Sequence, residues 1–211
     1  MMLPVVNKVS EPFVDWVACV LGNELSADHC YRLAAACFRI VPEVRAHPEI
    51  GILSIPGIPD KKGKIDLTSK SQIRIRVPIS KIPIVYPLAG KKLNVGGYQI
   101  KIAIPSINLL QPSPILKARI VTIKSKECMH LNGFLAAAKR QLEAKGIAGK
   151  VSVPLNRDGE PSRKTIRIKG KTIIGYTTEV SELSGEDSIK LQSLGIGGRR
   201  HLGAGIFLPC H

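Results

Sequence analysis

One pattern constrains this chain more than any other: the order strand, helix, strand, strand, helix, strand can be read along it twice. In the first pass, Phe13, Val14, Trp16, Val17 and Val20 form a β-rich run over Pro12 to Leu21 that ends at Gly22. Ser26 and Asp28 are good N-cap types, and Leu33, Ala36, Cys37 and Ile40 then recur at helical spacing until Pro42 stops them. Short strands are expected near Ile50 to Ile55 and Gln72 to Val77, with Pro56 to Lys64 as the turn segment between. Ile73, Ile75 and Val77 alternate with Arg74 and Arg76, which predicts a half-buried strand with a basic outer face. A short helix over Ser80 to Leu88, weakened by Pro83 and Pro87, precedes a hairpin over Lys92 to Ile104 that turns at Gly96 and Gly97.

The second pass begins after Gln111-Pro112-Ser113-Pro114, where two prolines interrupt both periodicities. Leu116 to Lys124 reads as a strand, and Leu131, Phe134, Leu135, Ala138 and Leu142 mark an amphipathic helix ending at Gly146. Lys150 to Pro154 is a strand, and Arg163 to Val180 a hairpin turning at Gly170. Ser184 opens another helix with Glu186 and Asp187 in its first turn, and Gly203 to Leu208 is expected as the closing strand. Each half is a βαββαβ ferredoxin-like unit, so the fold class is α+β. The expected domains are residues 1–111 and 115–211.

Charge says what such a fold could hold. The chain has 31 Lys and Arg against 16 Asp and Glu, a net charge of +15. Residues 1–60 hold only four basic side chains against seven acids, so the excess belongs to the later part. A concentrated excess of this kind attracts polyanions and gains affinity for nucleic acid by counterion release. An anionic membrane would attract it too, but no amphipathic helix pairs Trp, Phe and Leu with a basic face, so no membrane partner is expected. Only four Phe, four Tyr and one Trp argue against a platform stacking successive bases, which leaves phosphates and shape. No long apolar run or secretory leader is legible, so the expected location is the cytoplasm. Five cysteines without a Cys-x-x-Cys pair suggest neither disulfides nor a metal site.

The sharpest local feature is the tail from Gly195 to Phe207, with Gly195, Gly197, Gly198, Gly203 and Gly205 around Arg199, Arg200 and His201. Glycines let backbone N–H groups approach phosphate oxygens, and the arginines add fork-shaped donors. The same residues also fit a tight helix-to-strand connection. The loop is neither a Walker motif nor a dinucleotide fingerprint, since no Lys-Ser or Lys-Thr follows it and it precedes the last strand. On the hairpin, Arg163, Arg167, Lys169 and Lys171 share parity and suit a backbone track, while Lys164 points the other way.

The spacing Gly195-x-Gly197-x5-Gly203-x-Gly205 near the end of a tandem ferredoxin-like chain resembles the signature of the repeat-associated RNA-binding superfamily of CRISPR systems. Ser26-Ala27-Asp28-His29, Pro87-Leu88-Ala89-Gly90-Lys91, and Asp187-Ser188 running into Leu191-Gln192 narrow the resemblance to the Cas-six endoribonucleases, in the short form called the Myxan subtype. The resemblance spans nearly the whole chain. It implies a metal-independent, cofactor-free enzyme that cuts CRISPR repeat RNA by attack of a ribose 2′-hydroxyl on its own phosphate. It implies as partners the repeat hairpin and other subunits of a guide RNA complex.

Such chemistry needs a proton acceptor, a proton donor and cations at the phosphate. His29 matches the family's catalytic position; without the family it reads as a histidine that helps start a helix. Tyr31 could orient the hydroxyl or contact the phosphate, or simply pack on the helix side. Arg163, Lys164, Arg167, Lys169, Gly197, Gly198, Arg199, Arg200 and His201 are the expected RNA contacts. The alternative is a catalytically silent RNA-binding subunit of the same superfamily.

Overall fold

The computed structural model describes residues 11–124, 128 and 130–210; His211 and the opening ten residues lie outside them. The first unit contains β1 (Phe13–Leu21), β2 (Glu24–Ser26), α1 (Cys30–Ile40), β3 (Gly51–Ile52), β4 (Ile58–Pro59), β5 (Lys64–Asp66) and β6 (Gln72–Pro78). It continues through α2 (Ile82–Val85), set between two 3-10 turns, to β7 (Lys92–Val95), β8 (Tyr98–Ile102) and β9 (Ser106–Leu109). The second unit contains β10 (Leu116–Val121), α3 (Leu131–Ala144), β11 (Lys150–Ser152), β12 (Arg163–Ile168), β13 (Lys171–Ser181), α4 (Gly185–Leu194) and β14 (Leu208–Pro209).

Both sheets are antiparallel and have the ferredoxin-like order. The first runs β3-β6-β1-β8-β7, with β9 also paired to β1. The second runs β11-β13-β10-β14, with β12 alongside β13. The opening strand of each unit is central, β1 between β6 and β8 and β10 between β13 and β14, and the helices fill one face. Leu33, Ala36 and Cys37 of α1 pack on Trp16, Ile73 and Ile75 in one core; Phe134, Ala138 and Leu142 of α3 join Leu116, Tyr176 and Phe207 in the other. The small sheet β2-β5-β4 is an insertion in the first unit.

Three expectations change. Arg76 is fully buried instead of facing water, because the second unit covers this face of β6. The closing strand shrinks to Leu208–Pro209, since Gly203 and Gly205 take left-handed φ of 73° and 69° and a 3-10 turn occupies Arg200–Leu202. The segment Pro56 to Lys64, read as a turn, carries the short strand β4 and the start of β5. Strand β9 adds to the expected order; Ser106, Ile107, Asn108 and Leu109 alternate polar and apolar, yet all four are exposed.

Candidate nucleic-acid interface

The two sheets meet through arginine. Asp15 and Arg76 are cross-strand neighbours on β1 and β6, and their side chains form a two-pronged pair with Nε–Oδ1 at 2.8 Å and Nη2–Oδ2 at 3.0 Å. The remaining Arg76 nitrogen donates to the carbonyls of Gln192 and Phe207 in the second unit. Arg200 reaches the other way, donating through Nε to the Glu49 carbonyl at 3.1 Å and through Nη2 to that of Ser193 at 2.9 Å. Burial pushes the Arg200 pKa down to about 10, with Arg76 nearby adding to the effect. A guanidinium suits both places because its fixed fork satisfies several carbonyls at once.

These bonds correct the reading of the tail. Arg200 and His201 fasten the two units; the imidazole Nε2–H of His201 donates to the His47 carbonyl at 2.9 Å, and its ring meets Phe38 edge-on. The glycine N–H groups are also engaged. Gly197 donates to Gln141 Oε1, Gly198 to the Thr122 carbonyl and Gly205 to the Ile120 carbonyl. Gly195 donates to the Leu191 carbonyl at the end of α4, and Gly203 to the Arg200 carbonyl within the tail's 3-10 turn. None of the five has an N–H left for a phosphate. The glycines serve close packing instead: a Cβ on Gly195 would lie 2.0 Å from the Gly205 carbonyl oxygen. Arg199 is half-buried and left-handed at φ 66°, and its one side-chain hydrogen bond among the described residues is a 3.4 Å contact to Thr122 Oγ1.

Beside this junction lies a cleft of about 260 Å³ bordered by Ser54, Gln72 and Arg74 of the first unit and Lys117, Arg119 and Leu208 of the second. It continues past Lys117 and Arg119 toward Thr177 and Cys210. Lys117 and Arg119 were not singled out from sequence. The signal existed, since they alternate with buried Leu116, Ala118 and Ile120 along β10 as Arg74 and Arg76 do along β6.

His29 is the N-cap residue of α1, 2% exposed, and sits behind the cleft wall formed by residues 53–56. The Ile55 N–H donates to its Nε2 at 2.9 Å, so the ring proton is on Nδ1, which donates to the Ser26 carbonyl at 2.9 Å. Burial lowers its pKa below the ordinary 6.5; the Ser26 bond opposes this, Arg119 adds to it and Asp28 opposes it. The imidazole is therefore neutral, with its one lone pair occupied. Arg119 reaches from the cleft to the next residue, Nη2 to Cys30 Sγ at 3.3 Å.

Tyr31 turns away from that wall. It borders a separate groove with Phe38, Lys169 and Leu202. Arg163, Lys164 and Arg167 are exposed on β12, and the Arg167 backbone N–H donates to Asp28 Oδ2, which ties the hairpin to the start of α1. Among the described residues no three His, Cys, Asp or Glu side chains form a group that could hold a metal ion, and no helix is long and apolar enough to cross a membrane.

The family described as Cas6 Crispr matches residues 14–211. The chain is 35% identical over 197 residues to the CRISPR-associated endonuclease Cas6 of Myxococcus xanthus, covering 93% of this chain and 81% of that protein. A solved CRISPR associated protein Cas6 superposes with a TM-score of 0.66 at 13% identity, covering 96% of this chain and all of the other. A second, an RAMP protein binding different RNA substrates, gives 0.64 at 13% identity over 95% and 100%. Two ferredoxin-like units bolted across a cationic cleft, and a sequence match that runs through both, lead to one assignment: the chain belongs to the Cas6 family of CRISPR-associated endonucleases.

Proposed function

We propose that this protein is an endoribonuclease that cuts CRISPR repeat RNA without a metal ion and keeps the guide hairpin as a subunit of a larger complex, its two domains divided at residues 112–114. The observation that carries this reading is the cleft of Arg74, Lys117 and Arg119 leading to the start of α1 in a chain of this family. The RNA backbone lies along the cleft and the β12 cations Arg163, Lys164 and Arg167, gripped through phosphates.

In the cutting step the 2′-oxygen bonds to its own phosphorus and the bond to the 5′-oxygen breaks, giving a cyclic phosphate and, once the departing 5′-oxygen takes a proton from water, a 5′-hydroxyl. His29 takes the 2′-proton at Nε2. Its neutral state and the Nδ1–H bond to Ser26 give the tautomer that a base needs. The Ile55 N–H must leave Nε2 first, so segment 53–56 shifts when RNA enters. Arg119 lies where it can neutralise charge on the phosphate.

A second reading, a silent RNA-binding subunit, is favoured by one observation: both ring nitrogens of His29 are engaged by backbone. Incubation with the cognate repeat RNA in excess EDTA separates the two. A single cut at the base of the stem, abolished with binding intact in His29→Ala, is the expected result. RNA held tightly but left whole under all conditions would establish the silent reading, and cleavage that requires an added divalent ion would remove the metal-free chemistry.

A further inference from the structure

The groove beside Tyr31 is not used by anything described so far. It lies against α1, which contributes Tyr31, Ala34, Ala35 and Phe38 to its lining, and Lys169 at the hairpin tip borders it as well. Leu202 borders it while Gly203 borders the cleft, so the 3-10 turn of the tail stands between the two. Its volume, about 280 Å³, falls just below the range of about 300–1,000 Å³ usual for pockets that take a whole small molecule. That is room for one planar group.

Three features say what kind of group. Among the described residues the Tyr31 hydroxyl has no hydrogen bond and its ring no aromatic or cationic neighbour, although the residue is half-buried. By contrast, Phe38 already has Arg45 over its face, 5.0 Å from the ring centroid, and His201 at its edge. Two cations, Lys169 and Arg45, border the groove, and among the described residues no acidic side chain lines it. Finally, Lys169 holds a left-handed φ of 47° ahead of Gly170 at 80°, a two-residue turn that favours Asn, Asp or Gly at the lysine's place. A strained lysine at a groove mouth points to a use for its charge.

We infer that this groove is a stacking subsite for one unpaired nucleobase flanking the repeat stem, with the Tyr31 ring against the base and Lys169 and Arg45 on the adjoining phosphate. The inference rests on the RNA-cutting reading above and adds to it a specificity element outside the cleft. Aromatic stacking tolerates any base, since each has a π-face. The slot therefore reads the presence and position of an unpaired nucleotide, and sets the strand's register relative to the start of α1.

The test uses full-length protein and repeat RNA carrying 2-aminopurine at each unpaired flanking position in turn. One position is strongly quenched on binding. The quench survives Tyr31→Phe and disappears in Tyr31→Leu, which weakens binding of the flanked RNA roughly 5- to 150-fold and leaves binding of the bare stem-loop unchanged. Lys169→Asn relaxes the turn, so it raises thermal stability while weakening the flanked RNA alone. Bound RNA with no quenched position, or quenching that persists in Tyr31→Leu, overturns the subsite and spares the RNA-cutting reading. RNA that does not bind at all removes both.

Discussion

At the scale of single residues, His29 shows how one side chain can serve a wall and a reaction. Its ring joins the Ser26 carbonyl to the Ile55 N–H, so removing it orphans two backbone groups, at a cost of about 1–3 kcal/mol. Because burial lowers its folded-state pKa below 6.5, the unfolded chain binds more protons in the window beneath that value. Stability from this residue is complete above pH 6.5 and falls as the pH drops through the lowered folded value. Urea denaturation at stepped pH between 5 and 8 should show this loss in the wild type and a flatter profile in His29→Gln. Equal slopes in both would mean that the buried imidazole is not the titrating group.

At the scale of elements, the tail is governed by steric contact. Gly205 has φ of 69°, and a Cβ there would sit 2.2 Å from the Ile196 carbonyl oxygen, whereas one on Gly198 meets nothing within 4 Å. Thermal melts should therefore find Gly198→Ala within about 0.5 kcal/mol of wild type. Gly205→Ala should lose at least ~1–3 kcal/mol from the backbone conformation alone. The sequence spacing of these glycines was legible, and so was the helix cap before them: Ser184 Oγ accepts from the Asp187 N–H at 3.1 Å. Their purpose was not legible, because an open phosphate loop and a packed turn require the same left-handed conformations. Only the acceptors found for each N–H distinguish them.

At the scale of the whole molecule, the cations divide into those that hold the fold and those that face the cleft. Arg76 and Arg200 satisfy carbonyls across the junction, so breaking this buried set leaves uncompensated charge or unpaired backbone. Lys117 and Arg119 are exposed, and their side-chain ties among the described residues are at 3.7 Å to Glu179 and 3.3 Å to the Cys30 sulfur. The salt dependence of repeat RNA binding should lose about one unit of slope for each of Lys117→Ala and Arg119→Ala. Arg200→Ala should lower the melting temperature and leave the slope unchanged. A reversed pattern would return the tail to the role of phosphate grip.

What the sequence determined by itself was the plan: hydrophobic period, helix caps and turn glycines are local, and they specified two ferredoxin-like units in order and the basic character of the later chain. What the tertiary structure decided was which residues reach a ligand. The alternation of Arg74 and Arg76 along β6 is identical in sequence, yet Arg74 borders a cleft and Arg76 is sealed against a neighbouring unit. Residues 53–56 close over His29, and the hairpin tip brings Lys169 from the far end of the chain to the groove that Tyr31 borders. Burial and hydrogen-bond partners come from residues distant in sequence, and no local period encodes them.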